Sequence, residues 1–241
     1  MRPEQDAYGQ EVLDYLKGRK QLEVVERDDG YIDVSSGPDM YFRPFADWPP
    51  YEQQAMQYVH GRVLDIGCGA GRHCLQVQSM GLEVVGVDQS PLAVDVCKRR
   101  GVTDARVLPI SEVTRGLGVF DTIMMMGNNF GLFGSFARAR WLLRRFHGLT
   151  SAGGRIVAVT PDPYQTNNPA HLAYHERNRK RGRMGGQIRM RVRHQTYKTP
   201  WFDYLFVSQA ELKEIVSGTG WHIAHILPSE GPVYALVLEK D

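Results

Sequence analysis

Between residues 62 and 163 short apolar runs alternate with stretches of helical period, the pattern of parallel strands joined by crossover helices. The runs are VLDI (63–66), EVVGVD (83–88), ARVLPI (105–110), DTIMMM (121–126) and RIVAVT (155–160). Helices are predicted to start near Ala70, Pro91 and Ser135. Ser90 suits the cap of the second, because its hydroxyl can accept from free backbone N–H groups, and Pro91 loses nothing in a first helical turn. In the third, Phe136, Leu142, Leu143 and Phe146 supply an apolar face, with Arg138, Arg140, Arg144 and Arg145 largely off it. Ser208 and Glu211 have capping-box spacing and open a further helix that Gly218 or Gly220 can end. The last two strands, WHIAHIL (221–227) and VYALVLE (233–239), are separated by five residues, too few for a parallel crossover, so they form an antiparallel hairpin.

The expected fold class is therefore α/β and Rossmann-like: a mostly parallel sheet with helices on both faces and an antiparallel C-terminal hairpin. Two segments lie outside it. Residues 1–60 read as an N-terminal arm, with a helix around Glu11–Lys17, a hairpin in LEVVERDDGYIDVS turning at Asp29-Gly30, and a helix leading into His60-Gly61. Residues 61–241 read as the main domain, with 164–207 as a lid-like insertion whose second half holds two strands, QIRMRVRHQTYK and FDYLFV.

Composition narrows the class. With 241 residues, 42% hydrophobic and 23% charged, the chain suits one folded core and excludes disorder and fibrous repeats. A net charge of +2 is too small to argue by itself for a nucleic-acid or membrane partner. MRPEQDAYGQ lacks the layout of a signal peptide and no apolar run nears the ~18 residues of a membrane span, so a soluble, cytoplasmic protein, monomer or homodimer, is expected. The three cysteines, Cys68, Cys74 and Cys97, show neither CxxC spacing nor a nearby histidine set. They read as free thiols, with no metal expected.

The chemistry sits in VLDIGCGAG, residues 63–71: a strand ending in an acid, then Gly67, Gly69 and Gly71 at alternate positions, then a helix. Glycine is needed where backbone turns sharply and approaches a ligand, and the helix start offers unpaired donors. Asp88 ends the next strand, 21 residues after Gly67, the offset at which a carboxylate can reach the hydroxyls of a ribose. A dinucleotide fingerprint would require glycine at position 72, where Arg72 stands.

With these residues the chain resembles the class I S-adenosylmethionine-dependent methyltransferases, over about Arg62–Pro163 and the terminal hairpin. The resemblance implies S-adenosyl-L-methionine as cofactor and S-adenosyl-L-homocysteine as product. It implies that Gly67, Cys68, Gly69 and Gly71 wrap the methionine moiety, with Asp65 beneath its amino group and His73 near that end. It implies Asp88 on the ribose and Gln89 and Ser90 beside the adenosine. Where the family often has an acid after the third strand, Ile110 and Ser111 stand here, assigned to adenine packing and hydrogen bonding.

After the fourth strand come Gly127, Asn128 and Asn129, where the family places residues between cofactor and acceptor; the same residues also suit a plain turn. His171, Tyr174 and His175, at helical spacing, are candidate bases or ordinary structural side chains; His171 and His175 also have the spacing of a two-histidine metal pair, but no HExxH pattern or distal carboxylate motif accompanies them. From Arg177 to Arg193 lie seven Arg and one Lys with no acid: a solvated face, an anionic acceptor site, or a nucleic-acid contact. Tyr31, Tyr41, Phe42, Phe45, Trp48, Trp201, Phe202 and Tyr204 can roof an acceptor pocket or belong to a core.

The expected function is methyl transfer to an oxygen or nitrogen nucleophile of a small acceptor that can be anionic. The alternatives are an RNA or ribosomal-component methyltransferase that uses the Arg177–Arg193 stretch, and a non-catalytic S-adenosylmethionine-binding protein.

Overall fold

A computed structural model describes residues 2–19, 22–35 and 37–241. In chain order the elements are α1 (Ala7–Leu16), β1 (Glu23–Arg27), β2 (Ile32–Ser35), α2 (Pro50–Ala55), β3 (Val63–Ile66), α3 (Arg72–Ser79), β4 (Val84–Asp88), α4 (Pro91–Arg99) and β5 (Ala105–Val107). They continue with β6 (Phe120–Met125), α5 (Phe136–Leu149), β7 (Thr150–Pro161), α6 (Pro169–Lys180), β8 (Gln187–His194), β9 (Tyr197–Lys198), β10 (Phe202–Leu205), α7 (Gln209–Val216), β11 (Trp221–Pro228) and β12 (Val233–Lys240).

Seven strands form one sheet in the order β11-β12-β7-β6-β3-β4-β5. β4 with β5 and β6 with β7 run parallel, and β12 runs antiparallel to both β7 and β11, so the predicted C-terminal hairpin enters the sheet by its second strand. All four residues of β3 and the first four of β4 are buried, as strands covered on both faces must be. The run ARVLPI stays a strand only to Val107, because Pro109 has no N–H to give a ladder, and Ile110–Glu112 forms a 3-10 turn. A second sheet has the order β10-β8-β1-β2, with β9 on β8.

The chain divides into two compact units, each of three separate segments. The first comprises Met1–Trp48, Leu64–Glu112 and Arg189–Phe202. In it Val12 and Leu13 of α1 pack with Ala93 and Val96 of α4 and with Ala70. Asp6 serves two helix starts at once, accepting from Gly9 N (3.1 Å) in α1 and from Ser90 Oγ (2.6 Å) and Leu92 N (3.0 Å) at α4. β1 pairs antiparallel with both β2 and β8, placing Glu26 opposite Arg191. The arm hairpin and the basic strand, two separate additions in the sequence, thus share one sheet.

The second unit comprises Pro49–Val63, Val113–Ile188 and Asp203–Asp241. Its buried stripe on α5 is Ala139, Leu142, Leu143, Phe146 and Leu149. Phe136, expected on that face, is 37% exposed and lies under the Arg140 guanidinium at 5.6 Å; Ala139 holds the place on the stripe instead. Trp221 Nε1 donates to Leu143 O (2.8 Å) and ties β11 to this helix. The capping box at Ser208 and Glu211 opens α7 as expected.

Candidate functional site

β3 delivers the chain into a loop that is clamped to the end of β4. Gly67 N and Cys68 N both donate to Val87 O, at 2.8 and 3.1 Å. Gly69 N donates to Asp88 Oδ2 (3.0 Å) and Ser90 N to Asp88 Oδ1 (2.9 Å), so each carboxylate oxygen holds one main-chain donor and keeps lone pairs for another. Burial pushes the Asp88 carboxyl up to about 6, against the pull of those two N–H groups. Asp65 is fully buried; its Oδ2 accepts from Cys74 Sγ at 3.1 Å, and its Oδ1 has no partner among the described residues. Burial raises its pKa too, opposed by His73, Cys74 and Arg72.

Two of the glycines have identifiable neighbours. Gly69 has φ +52°, and a Cβ there would collide with the Tyr8 hydroxyl. Gly71 has φ +82°, and a Cβ would lie 2.7 Å from Cys97 Sγ, so a side chain would force α3 off α4. Tyr8 is thus a loop contact that sequence reasoning missed; its only signal was an aromatic at the start of an arm helix. Ser90 caps α4 through Ala93 N (3.0 Å), and Gln89 is exposed beside it. Ile110 is half-buried and opens the 3-10 turn, with Ser111 exposed next to it. His73 is buried and stacks edge-on against Trp48, ring centroids 4.8 Å apart, while the Arg72 guanidinium lies over that indole at 4.6 Å and 3.1 Å from His73 Nε2.

Spacing along the chain hid one grouping. Cys68, Cys74 and Cys97 are all buried, with their sulfurs within 4.8 Å of one another beneath the loop. The Cys68 thiol, hydrogen-bonded to it, and the adjacent Cys74 sulfur hold the Cys97 thiol well below its ordinary pKa.

In the second unit Gly127 and Asn128 are successive left-handed residues, φ +60° and +68°. For Asn128 this is an uncommon conformation, and its buried Oδ1 has no partner among the described residues. Tyr204 fixes this loop: its Oη donates to Asn128 O at 2.9 Å and lies 3.5 Å from Asn129 Oδ1, and its ring occupies the space a Cβ on Gly131 would need. On α6, Tyr174 and His175 are buried, with Arg177 over the Tyr174 ring (4.5 Å) and Tyr164 edge-on to His175 (5.4 Å). His171, a turn earlier, is half-buried, with Nδ1 3.3 Å from Thr166 Oγ1. Asn178 completes the buried face by donating to Gly185 O (3.1 Å) and Gln187 O (2.7 Å).

Residues 63–154 match the family model of the methyltransferase domain. Across the whole chain the fold is similar to that of a SAM-dependent methyltransferase from Bacteroides fragilis solved with S-adenosyl-L-homocysteine: TM-score 0.84, 26% identity, covering 100% of this chain and 97% of that one. The chain carries a class I S-adenosylmethionine-dependent methyltransferase domain. Shorter stretches of this methyltransferase resemble curated proteins. It is 33% identical over 76 residues to a tRNA U34 carboxymethyltransferase of Saccharophagus degradans (28% of this chain, 23% of that protein). It is 34% identical over 70 residues to a ubiquinone biosynthesis O-methyltransferase of Mesorhizobium japonicum (27% and 28%). The chain thus spans less than a third of the length of these curated relatives.

The family cofactor, S-adenosylmethionine, fits the residues present. A buried carboxylate oxygen without a partner on Asp65 suits an ammonium group, and an acid with lone pairs to spare on Asp88 suits a pair of hydroxyls. No helix among the described residues is long and apolar enough to cross a membrane.

Proposed function

We propose that this methyltransferase moves the cofactor's methyl group to an oxygen or nitrogen nucleophile of a small-molecule acceptor. The observation that carries the reading is the Gly67–Gly71 loop locked onto Val87 and Asp88, with the Asp65 carboxylate buried behind it. Asp65 holds the amino group, the loop main chain lies along the methionine moiety, and Asp88 accepts from the ribose hydroxyls. Gln89 and Ser90 flank the adenosine, and Ile110 and Ser111 pack against and bond the adenine. When bound, S-adenosylmethionine supplies a methyl already activated on a sulfonium, so the protein's share is alignment, desolvation and, for a protonated nucleophile, a base. Gly127, Asn128 and Asn129 orient the acceptor; the unpartnered Asn128 Oδ1 is a hydrogen-bond acceptor held ready by its backbone. His171, Tyr174 and His175 are the candidate bases, and residues 164–207 and the arm 1–60 the candidate covers.

An RNA acceptor is the second reading, favoured by the local likeness to a tRNA-modifying protein. Against it stands the state of the basic stretch. Arg191 and Arg193 bond Glu26, Arg183 bonds Asp203, and Lys180 bonds Glu176, so half of the eight charges already have acidic partners. The same pairing weakens the case for an anionic acceptor. The test is S-adenosylhomocysteine formation with a panel of phenols, amines, carboxylic acids and tRNA. Turnover on one of the small molecules supports the proposal, turnover on tRNA alone overturns it, and cofactor binding without product on any acceptor favours a non-catalytic binding protein.

A further inference from the structure

Glu11, on α1, is fully buried, yet among the described residues neither of its carboxylate oxygens has a hydrogen-bond partner. Buried carboxyls are almost always bonded, and one with both oxygens idle needs a reason. Three groups that can accept or donate hydrogen bonds surround it. Glu23 faces it from β1 and itself accepts from Tyr41 Oη (2.9 Å) and Ser35 Oγ (3.2 Å). Tyr8, one turn earlier on α1, stands edge-on to Tyr41 at 5.6 Å and reaches the Gly69 loop. The phenols of Tyr8 and Tyr41 are both raised, by burial first and then by acids that include Glu23 and Glu11, with Asp88 also acting on Tyr8.

Among the described residues, the following cations and acids nearby are committed elsewhere. Arg100, which faces Tyr8, donates to Ala70 O (2.6 Å) and Tyr41 O (3.0 Å) and covers the Phe42 ring at 4.4 Å. Asp6 is taken by Ser90 and Leu92, and Asp14 by His194 (2.9 Å), Gln195 (3.1 Å) and Arg19. Burial and the Glu23 charge push the Glu11 carboxyl up to about 9, so by itself it keeps its proton at neutral pH. A positive charge beside it would reverse that balance, and the proton would leave to solvent.

We propose that Glu11, with Glu23, Tyr8 and Tyr41, forms a buried receptor for an organic cation next to the glycine loop. The inference rests on the cofactor reading of that loop. The cation is an alkylsulfonium or alkylammonium group. It can come from the cofactor, as its sulfonium, the amino group being held by Asp65, or from a protonated amine acceptor, and the experiment separates these sources.

Calorimetric titration of the full chain near pH 7, in buffers of different ionisation enthalpy, reads protons released per ligand bound. If the cofactor is the source, S-adenosylmethionine binds with release of up to one proton, and Glu11→Gln abolishes the release and weakens binding at least ten-fold. If an acceptor is the source, the release appears only when n-butylammonium is added to protein saturated with S-adenosylhomocysteine, and Glu11→Gln abolishes that. Glu11→Met is the folding control: removing an unpaired buried carboxyl should raise the melting temperature of the ligand-free protein while producing the same binding loss. Equal affinities and no proton release in all arms, with both cofactor forms bound normally, overturn the receptor alone. Failure of the wild type to bind either cofactor form overturns the loop reading and the receptor with it.

Discussion

Asp88 takes a main-chain N–H on each oxygen and still has a carboxyl raised to about 6, so burial dominates its ionisation just below neutral pH. Its raised pKa means that the stability it lends is present at acid pH and is lost as pH climbs through about 6. A ligand whose hydroxyls donate to the charged form reverses that loss. S-adenosylhomocysteine affinity is therefore expected to rise between pH 5 and 7.5. Asp88→Asn should flatten this dependence and weaken binding by about 10- to 100-fold, the scale of one or two hydrogen bonds to a charged group; calorimetry at several pH values checks both. Gly69 gives a second case. Gly69→Ala should cost about 1–2 kcal/mol from left-handed strain and impair cofactor uptake through collision with the Tyr8 hydroxyl. Tyr8→Phe in the same background should recover the collision part, which thermal melts and cofactor titration of the two variants would reveal.

Between elements, the cross-strand cluster of Glu26 with Arg191 and Arg193 does what no local pattern could. Arg191 grips both oxygens of Glu26 at 2.8 and 3.0 Å while stacking over Trp201 at 4.5 Å, and the side chains of Glu26 and Arg191 are largely buried. Removing one partner leaves the other charge under-satisfied in the sheet. Glu26→Ala is expected to lower stability by about 1–3 kcal/mol in urea denaturation. Arg191→Lys should recover little of a similar loss, because an ammonium cannot make the two-pronged contact or the flat stack. Had the cluster been an exposed ion pair, both changes would fall within a few tenths of a kcal/mol.

For the molecule as a whole, electrostatics decides between acceptor classes. Eight free charges over Arg177–Arg193 would give a salt slope for RNA binding near −7, at ~0.9 counterions per contact. With four of them already facing acids, a slope no steeper than about −4 is expected, and tRNA binding should be weak at 0.15 M salt; fluorescence anisotropy over a salt series measures it. A slope near −7 would return the RNA reading to first place.

What could be read from residue order was whatever depends on near neighbours. Strand and helix periods, the Ser90 and Ser208 caps, the closing hairpin and the spacing of Gly67, Gly69 and Gly71 against Asp88 are all set within a few tens of residues by backbone geometry and capping chemistry. Only the folded chain decided which distant groups meet. Tyr8 lies on Gly69, three thiols 6 and 23 residues apart converge, Glu26 pairs with Arg191 across 165 positions, and Glu11 is sealed away without a partner among the described residues. Each of these is a product of packing: burial and desolvation act on whatever the fold brings together, and that depends on how elements remote in the sequence are stacked, not on their order along it.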